Sequence, residues 1–199
     1  MHAYRTLARP APEQLHKEKG SRFISYAFPL ENEAEVKPIL EQLRKTHVGA
    51  VHFCYAWQLG TTNMAYRAND DGEPSHSAGA PIYGQIQSFG LTNILVVVVR
   101  YFGGVKLGVG GLIAAYRTSA QMALTHGEIV EREIRAGFTI HTTYAQLSRV
   151  MWVVRENRAD ITSQSMELEC VLEVMVPMRQ AASFEEGIRL IIGTTLDRH

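Results

Sequence analysis

Read as a pattern of apolar and polar positions, the chain shows its first clear element from Ser21 to Leu30. There Phe23, Ser25 and Ala27 fall on one side and Arg22, Ile24, Tyr26 and Phe28 on the other. The period of two predicts a strand, and apolar bulk on both sides predicts cover on both faces. Val36, Ile39, Leu40 and Leu43 then recur at i, i+3, i+4 and i+7, a helical pattern that Pro38 either kinks or forces to begin near Glu35. His52 to Leu59 has strand composition. Ala80 to Phe89 fits a short helix with Ile82, Ile86 and Phe89 inward. Ile94 to Val99 is aliphatic throughout, which predicts a strand buried on both faces. Ile113, Tyr116, Ala120 and Ala123 follow at helical spacing, with Gly127 as the stop.

Beyond Gly127 the chain becomes charged (Glu128 to Arg135, EIVEREIR) and a second series of elements starts, so residues 1–132 are assigned to one domain and 133–199 to another. Thr143 and Gln146 have the form of a capping box ahead of Leu147, Val150, Met151 and Val154. Leu168, Cys170, Leu172, Val174 and Val176 alternate with Glu167, Glu169, Val171, Glu173 and Met175, a strand with one apolar and one mostly acidic face. Pro177 can open a last helix with Ala181, Phe184 and Ile188 inward. Strand, helix, two strands and helix within about 65 residues predict a small α+β sandwich.

Composition narrows the function classes. The 199 residues allow one domain or two small ones at about 150 residues per domain. Lys+Arg 20 against Asp+Glu 20 leaves no net charge, so a polyanion or acidic membrane can be met only locally. Cys54 and Cys170 are the only cysteines, and neither has metal-ligand spacing, which argues against a zinc site and a disulfide framework. Met1 to Pro10 has no signal-peptide core and the longest aliphatic run, Ile94 to Val99, is six residues, so a cytoplasmic location without a membrane span is expected.

The most unusual segment is GGVKLGVGG, which holds Gly103, Gly104, Gly108, Gly110 and Gly111, five of the 16 glycines. Each is expected to serve a positive φ or a close approach. Lying between a buried strand and a helix start, such a loop can aim backbone N–H groups and the positive helix end at an anion. A tight turn seating the helix on the sheet is the equal alternative. It is not a phosphate loop of the G-x4-G-K-[ST] type, and Ile113 stands where a dinucleotide motif needs its last glycine. From Pro74 to Gly127 there is no Asp or Glu, while Arg100, Lys106 and Arg117 supply a local +3. Residues 1–132 hold 13 basic and 11 acidic side chains, a sum of +2, and residues 133–199 hold 7 and 9, a sum of −2. The first domain is the expected anion binder. The acidic strand of the second domain, with Glu167, Glu169 and Glu173, would repel phosphate.

Other candidates are weaker. NDDGEP reads as an exposed turn whose Asp70, Asp71 and Glu73 lack the further ligands of a calcium loop. Cys54 with His52 lacks the third member of a nucleophile and base pair, and reads as a buried structural cysteine. His76 and Ser77 follow the acidic turn and can line a pocket with the glycine loop or serve as surface hydrogen-bonders. No catalytic residue, cofactor or metal is expected.

Four segments carry a resemblance: KEKGSRFISYAFP, HFCYAW, DDGEPSHSAGAPI from Asp70 to Ile82, and RYFGGVKLGVGGLIAAY with its Arg100-Tyr101 lead. They resemble the IMPACT/YigZ family over essentially the whole chain. The resemblance implies an α+β fold with two parts. One is an N-terminal domain of the ribosomal protein S5 domain-2-like type with a left-handed βαβ crossover; the other is a C-terminal ferredoxin-like domain similar to the last domain of elongation factor G. It also implies a translation-associated role, since eukaryotic members regulate translation by binding an activator of an initiation-factor kinase and bacterial members are linked to RNA or the ribosome. The leading expectation is a non-catalytic binding protein that meets RNA, the ribosome or a translation-related protein through Arg100, Tyr101, Lys106, Arg117 and the loop glycines. DNA specificity and a membrane partner are not expected. The alternatives are an enzyme using the glycine loop on a phosphorylated small molecule or nucleotide, and a protein-interaction module without nucleic acid. The chain departs from the common pattern at Ala114, where many relatives carry a basic residue, and at His76, where a small residue is frequent.

Overall fold

The computed structural model describes residues 2–167 and 169–199, so Leu168 of the expected acidic-edged strand lies outside the described residues. The architecture is α+β, in two compact units: Tyr4–Arg132, and Glu133–His199 with residues 2–3.

The N-terminal unit contains β1 (Ala3–Leu7), β2 (Gln14–Glu18), β3 (Ser21–Pro29), α1 (Val36–Thr46), β4 (His52–Leu59), β5 (Ala65–Asn69), α2 (Gly79–Ser88), β6 (Ile94–Tyr101), α3 (Gly108–Thr125) and β7 (Ile129–Glu133). Five strands form one antiparallel sheet in the order β2-β3-β6-β4-β5. β3 and β4 therefore run parallel on either side of β6, joined by α1. The all-aliphatic Ile94–Val99 segment makes β6 the central strand, and each of its six residues is fully buried. One face packs Phe23, Ala27, Cys54, Val96 and Val98 against Ile82, Ile86, Leu112, Tyr116 and Ala120 of α2 and α3. The other packs Phe53, Trp57, Leu95, Val97 and Val99 against Val36 and Leu43 of α1. Pro38 sits in the first turn of α1, where its missing N–H costs no hydrogen bond.

Periodicity misses β1, β2, β5 and β7. These strands lie on sheet edges or in the separate β1-β7 ribbon, and they bury too little to impose alternation; β5 is exposed at four of its five positions. Helix α3 begins at Gly108 rather than Ile113, so three of the loop glycines form its first turn.

The C-terminal unit contains β8 (Arg135–Thr142), α4 (Tyr144–Glu156), β9 (Asp160–Met166), β10 (Cys170–Pro177), α5 (Ala181–Arg189) and β11 (Thr195–Arg198). The order β11-β8-β10-β9, antiparallel throughout, is the βαββαβ ferredoxin-like arrangement. Phe138, Ile140, Leu172 and Val174 pack against Val150, Val154, Phe184 and Ile188 of the two helices. Sequence pattern alone omits β11, whose four residues include no buried position. The capping box does not form: Thr143 stands at the N-cap of α4 in extended conformation, but its side chain caps nothing. The register places Thr139, His141, Glu173, Ser163, Ser165 and Asp197 on the sheet face away from the helices. Among the described residues, no Phe, Tyr or Trp stands there to stack on a base.

Candidate functional site

The acidic segment Asn69–Pro74 corrects the expectation of a solvated turn, because each of its three carboxylates is tied to a different element. Asp70 accepts from the backbone N–H groups of His76, Ala78 and Gly79 at 2.8, 3.0 and 2.8 Å. It thereby satisfies N–H groups that the start of α2 would leave unpaired and places negative charge at the helix's positive end. Asp71 accepts from the N–H of Phe53 at 2.7 Å and from Arg44 of α1 at 3.0 and 3.1 Å. Its carbonyl accepts from His52 Nδ1.

Glu73 goes further inward, with a side chain only 4% exposed. Its Oε1 accepts from Arg100 Nη1 at 2.5 Å and from the Tyr116 hydroxyl at 2.8 Å, and His52 Nε2 lies 3.8 Å away. Arg100 is 5% exposed, so the expected anion contact is already occupied by a carboxylate of the same chain. A cation at the end of a buried strand can be accommodated only with such a partner.

Cys54 donates its thiol proton to the Asp70 carbonyl at 3.0 Å and lies 3.3 Å from the Tyr116 hydroxyl. Burial pushes the Cys54 thiol far up; burial, with Cys54 and Glu73 nearby, does the same to Tyr116. Both groups stay protonated. The cluster thus contains no thiolate, and one oxygen of its carboxylate accepts from both Arg100 and Tyr116; it acts as a clamp between β4, β6, α3 and the acidic loop.

The loop glycines divide by role. Gly103 touches backbone: a Cβ there would stand 1.9 Å from the carbonyl carbon of Gly20. Gly104 and Gly108 have φ of +85° and +71°. Gly110 corrects the expectation that every loop glycine is required, since its φ is ordinary and a Cβ would meet nothing within 4 Å. Gly111 would only press on the Leu107 side chain. Tyr101 points away from the loop. Its hydroxyl bonds His47 Nδ1 at 2.9 Å, in a chain continued by His47 Nε2, the Tyr26 hydroxyl and Glu13.

Of the three expected cations, Lys106 and Arg117 remain exposed, and among the described residues neither makes an ion pair. They are not neighbours. Arg117 lies nine residues into α3, on the order of 14 Å along the axis at 1.5 Å per residue. There it shares a groove with His76, whereas Ser77 is buried and donates to the Pro74 carbonyl.

Lys106 has other company, which sequence reading missed. The Lys19-Gly20 turn between β2 and β3 abuts Gly103, whereas Arg22 lies over the Tyr101 ring at 4.5 Å, on the sheet face that carries His47. The string KEKGSR contains Lys19, but nothing local shows that its turn folds beside a loop some eighty residues later. The α3 N-terminus next to Lys106 has no side-chain cap and no acidic residue in its first turn. Phe102, Val105 and Val109 are each about half exposed around it.

The Impact N-terminal domain matches residues 19–124, which span β3 through α3 and so both the clamp and the glycine loop. The chain belongs to the IMPACT family. It is 32% identical to IMPACT family member YvyE of Bacillus subtilis over 94% of this chain and 85% of that protein. It is also 30% identical to Protein IMPACT of Danio rerio over 46% of this chain and 30% of that protein. A solved structure described as that of an hypothetical protein superposes with a TM-score of 0.74 at 27% identity, covering 100% of this chain and 97% of the other. The family match starts at Lys19, so the hairpin turn that joins the glycine loop belongs to the IMPACT domain itself. Among the described residues, no helix is long and apolar enough to cross a membrane, and no group of three His, Cys, Asp or Glu is placed to hold a metal ion.

Proposed function

We propose that this IMPACT family protein is a non-catalytic, translation-associated binding protein whose glycine-loop face docks on RNA, free or within the ribosome. The observation that carries this reading is Lys106, exposed and unpaired beside an uncapped helix start, on a surface that gains Lys19 and has Glu18 as the one carboxylate of the adjoining hairpin. Free N–H groups at a helix N-terminus and the exposed cations Lys106 and Lys19 suit phosphate oxygens and do not read sequence. The Glu73 clamp speaks against the small-molecule enzyme, because its carboxylate is engaged by Arg100 and Tyr116 and both Cys54 and Tyr116 stay protonated.

A second reading, docking on a translation protein, is favoured by the exposed Phe102, Val105 and Val109. The salt dependence of binding to single-stranded RNA separates the two. Two phosphate contacts, at Lys106 and Lys19, give a slope of about −1.4 in log K against log salt, and Lys106→Ala flattens it by about 0.7 while weakening all RNA sequences evenly. Binding that is unchanged by Lys106→Ala at every salt concentration would sink the RNA reading.

A further inference from the structure

The α2-α3 layer forms the cover of one sheet face, and its two helices carry a single charged residue between them, Arg117. Solvated helix faces normally present many charges. Depletion of charge is instead the mark of the central part of a protein interface. Between the helices runs a groove of about 430 Å³, floored by Ala80, Gly84 and Ile113 and edged by Gln85, His76 and Arg117. Gly84 presents bare backbone, with nothing within 4 Å of where a Cβ would stand. His76 reaches the groove from a strained φ of +63°, and its N–H is pinned by Asp70. No carboxylate occurs between Pro74 and Gly127 to pair with Arg117 from the same elements.

We infer that this groove docks a partner protein through a carboxylate-bearing segment, whose Asp or Glu pairs with Arg117 while its backbone lies over the small residues of α2 and α3. Charge complementarity selects this occupant. An RNA strand would bring successive phosphates to a groove holding one permanent cation, with Lys106 at the far start of α3, about two and a half helix turns away. A second copy related by a two-fold axis through the groove would set Arg117 against its own mate. The surface is distinct from the glycine-loop face, and the inference does not rest on RNA binding there.

The test places a photo-crosslinking benzoylphenylalanine at Ala80 or Ala114 of the full chain in its native cell, with nuclease treatment before mass spectrometry of the crosslinked peptides. The expected result is a crosslinked protein segment containing Asp or Glu. Its yield falls at least about tenfold with Arg117→Glu, as for a lost charge pair at an interface, and returns when the partner's acidic residue is changed to Arg. Arg117 is exposed, so a thermal melt of Arg117→Glu should match the parent, and Lys106→Ala should leave the crosslink intact. Crosslinks removed by nuclease, crosslinks only to a second copy of this chain, a yield indifferent to Arg117→Glu, or no crosslink at all would each overturn the inference.

Discussion

Replacing Glu73 by Ala removes one partner of a pair whose side chains are 4% and 6% exposed. The guanidinium left behind has little access to water, and its Nε already lacks a partner. Its remaining neighbours are the rings of Phe23 and Phe102, with centroids 5.5 and 5.7 Å away. Breaking a buried pair from one side costs about 3–5 kcal/mol, chiefly through the stranded charge. Tyr116 also loses the acceptor for its hydroxyl, although Cys54 remains within 3.3 Å. We therefore expect Glu73→Ala to destabilise the N-terminal unit by about 4 kcal/mol, a fall in melting temperature on the order of 12 °C for a chain of this size. Urea unfolding followed by fluorescence reads this directly, because Trp57 is buried in that unit. The double variant Glu73→Leu with Arg100→Met should recover most of the loss, since apolar replacement of both members of a buried pair is often neutral. A loss below about 1 kcal/mol for Glu73→Ala, the range of an exposed pair, would refute the clamp and restore the solvated turn.

The glycines make a paired prediction: Gly103→Ala, which drives a Cβ into the Gly20 backbone, should prevent stable folding, whereas Gly110→Ala, in helical backbone and open space, should stabilise by about 0.5–1 kcal/mol. Thermal melts of the two variants decide it, and similar losses for both would show that the loop is uniformly demanding. His47, 7% exposed and bonded through both ring nitrogens to Tyr26 and Tyr101, has its pKa lowered from 6.5, chiefly by burial. The folded chain then binds fewer protons than the unfolded chain just below pH 6.5, so the stability held above that pH is lost as pH falls through and below it. Urea midpoints measured from pH 7.5 to 5 should show this acid-side loss, and a His47→Gln chain with an identical pH profile would exclude His47 as its source.

How much could be read from sequence depends on where burial imposes a pattern. β6 and β3 were legible because both faces of the sheet are covered, and β10 because one is. β2, β5 and β11 were not, because an edge strand with water on its sides carries polar residues at any register. The start of α3 was hidden because glycine has the lowest helix preference after proline, and here tertiary context overrides it. The clamp was hidden for another reason. Glu73 finds Arg100 27 residues away and Tyr116 43 away, and a carboxylate in a turn-forming string gives no sign of a distant partner. Acid depletion from Pro74 to Gly127 singles out Arg100, Lys106 and Arg117, but it cannot tell that Arg100 faces inward while Arg117 and Lys106 face out.

The way the acidic loop divides its three carboxylates has a dynamic consequence. Asp70 holds the start of α2, Asp71 holds α1 and β4, and Glu73 holds β6 and α3, so one short segment is bonded to every helix of the N-terminal unit. A helix in such an arrangement has little freedom to detach alone, because its release also disturbs the anchors of the other two. Amide hydrogen exchange should accordingly find α1, α2 and α3 opening together at nearly one free energy, as a single cooperative unit, with the outer strands β2 and β5 exchanging earlier. Any partner that grips one helix would then be felt by all three.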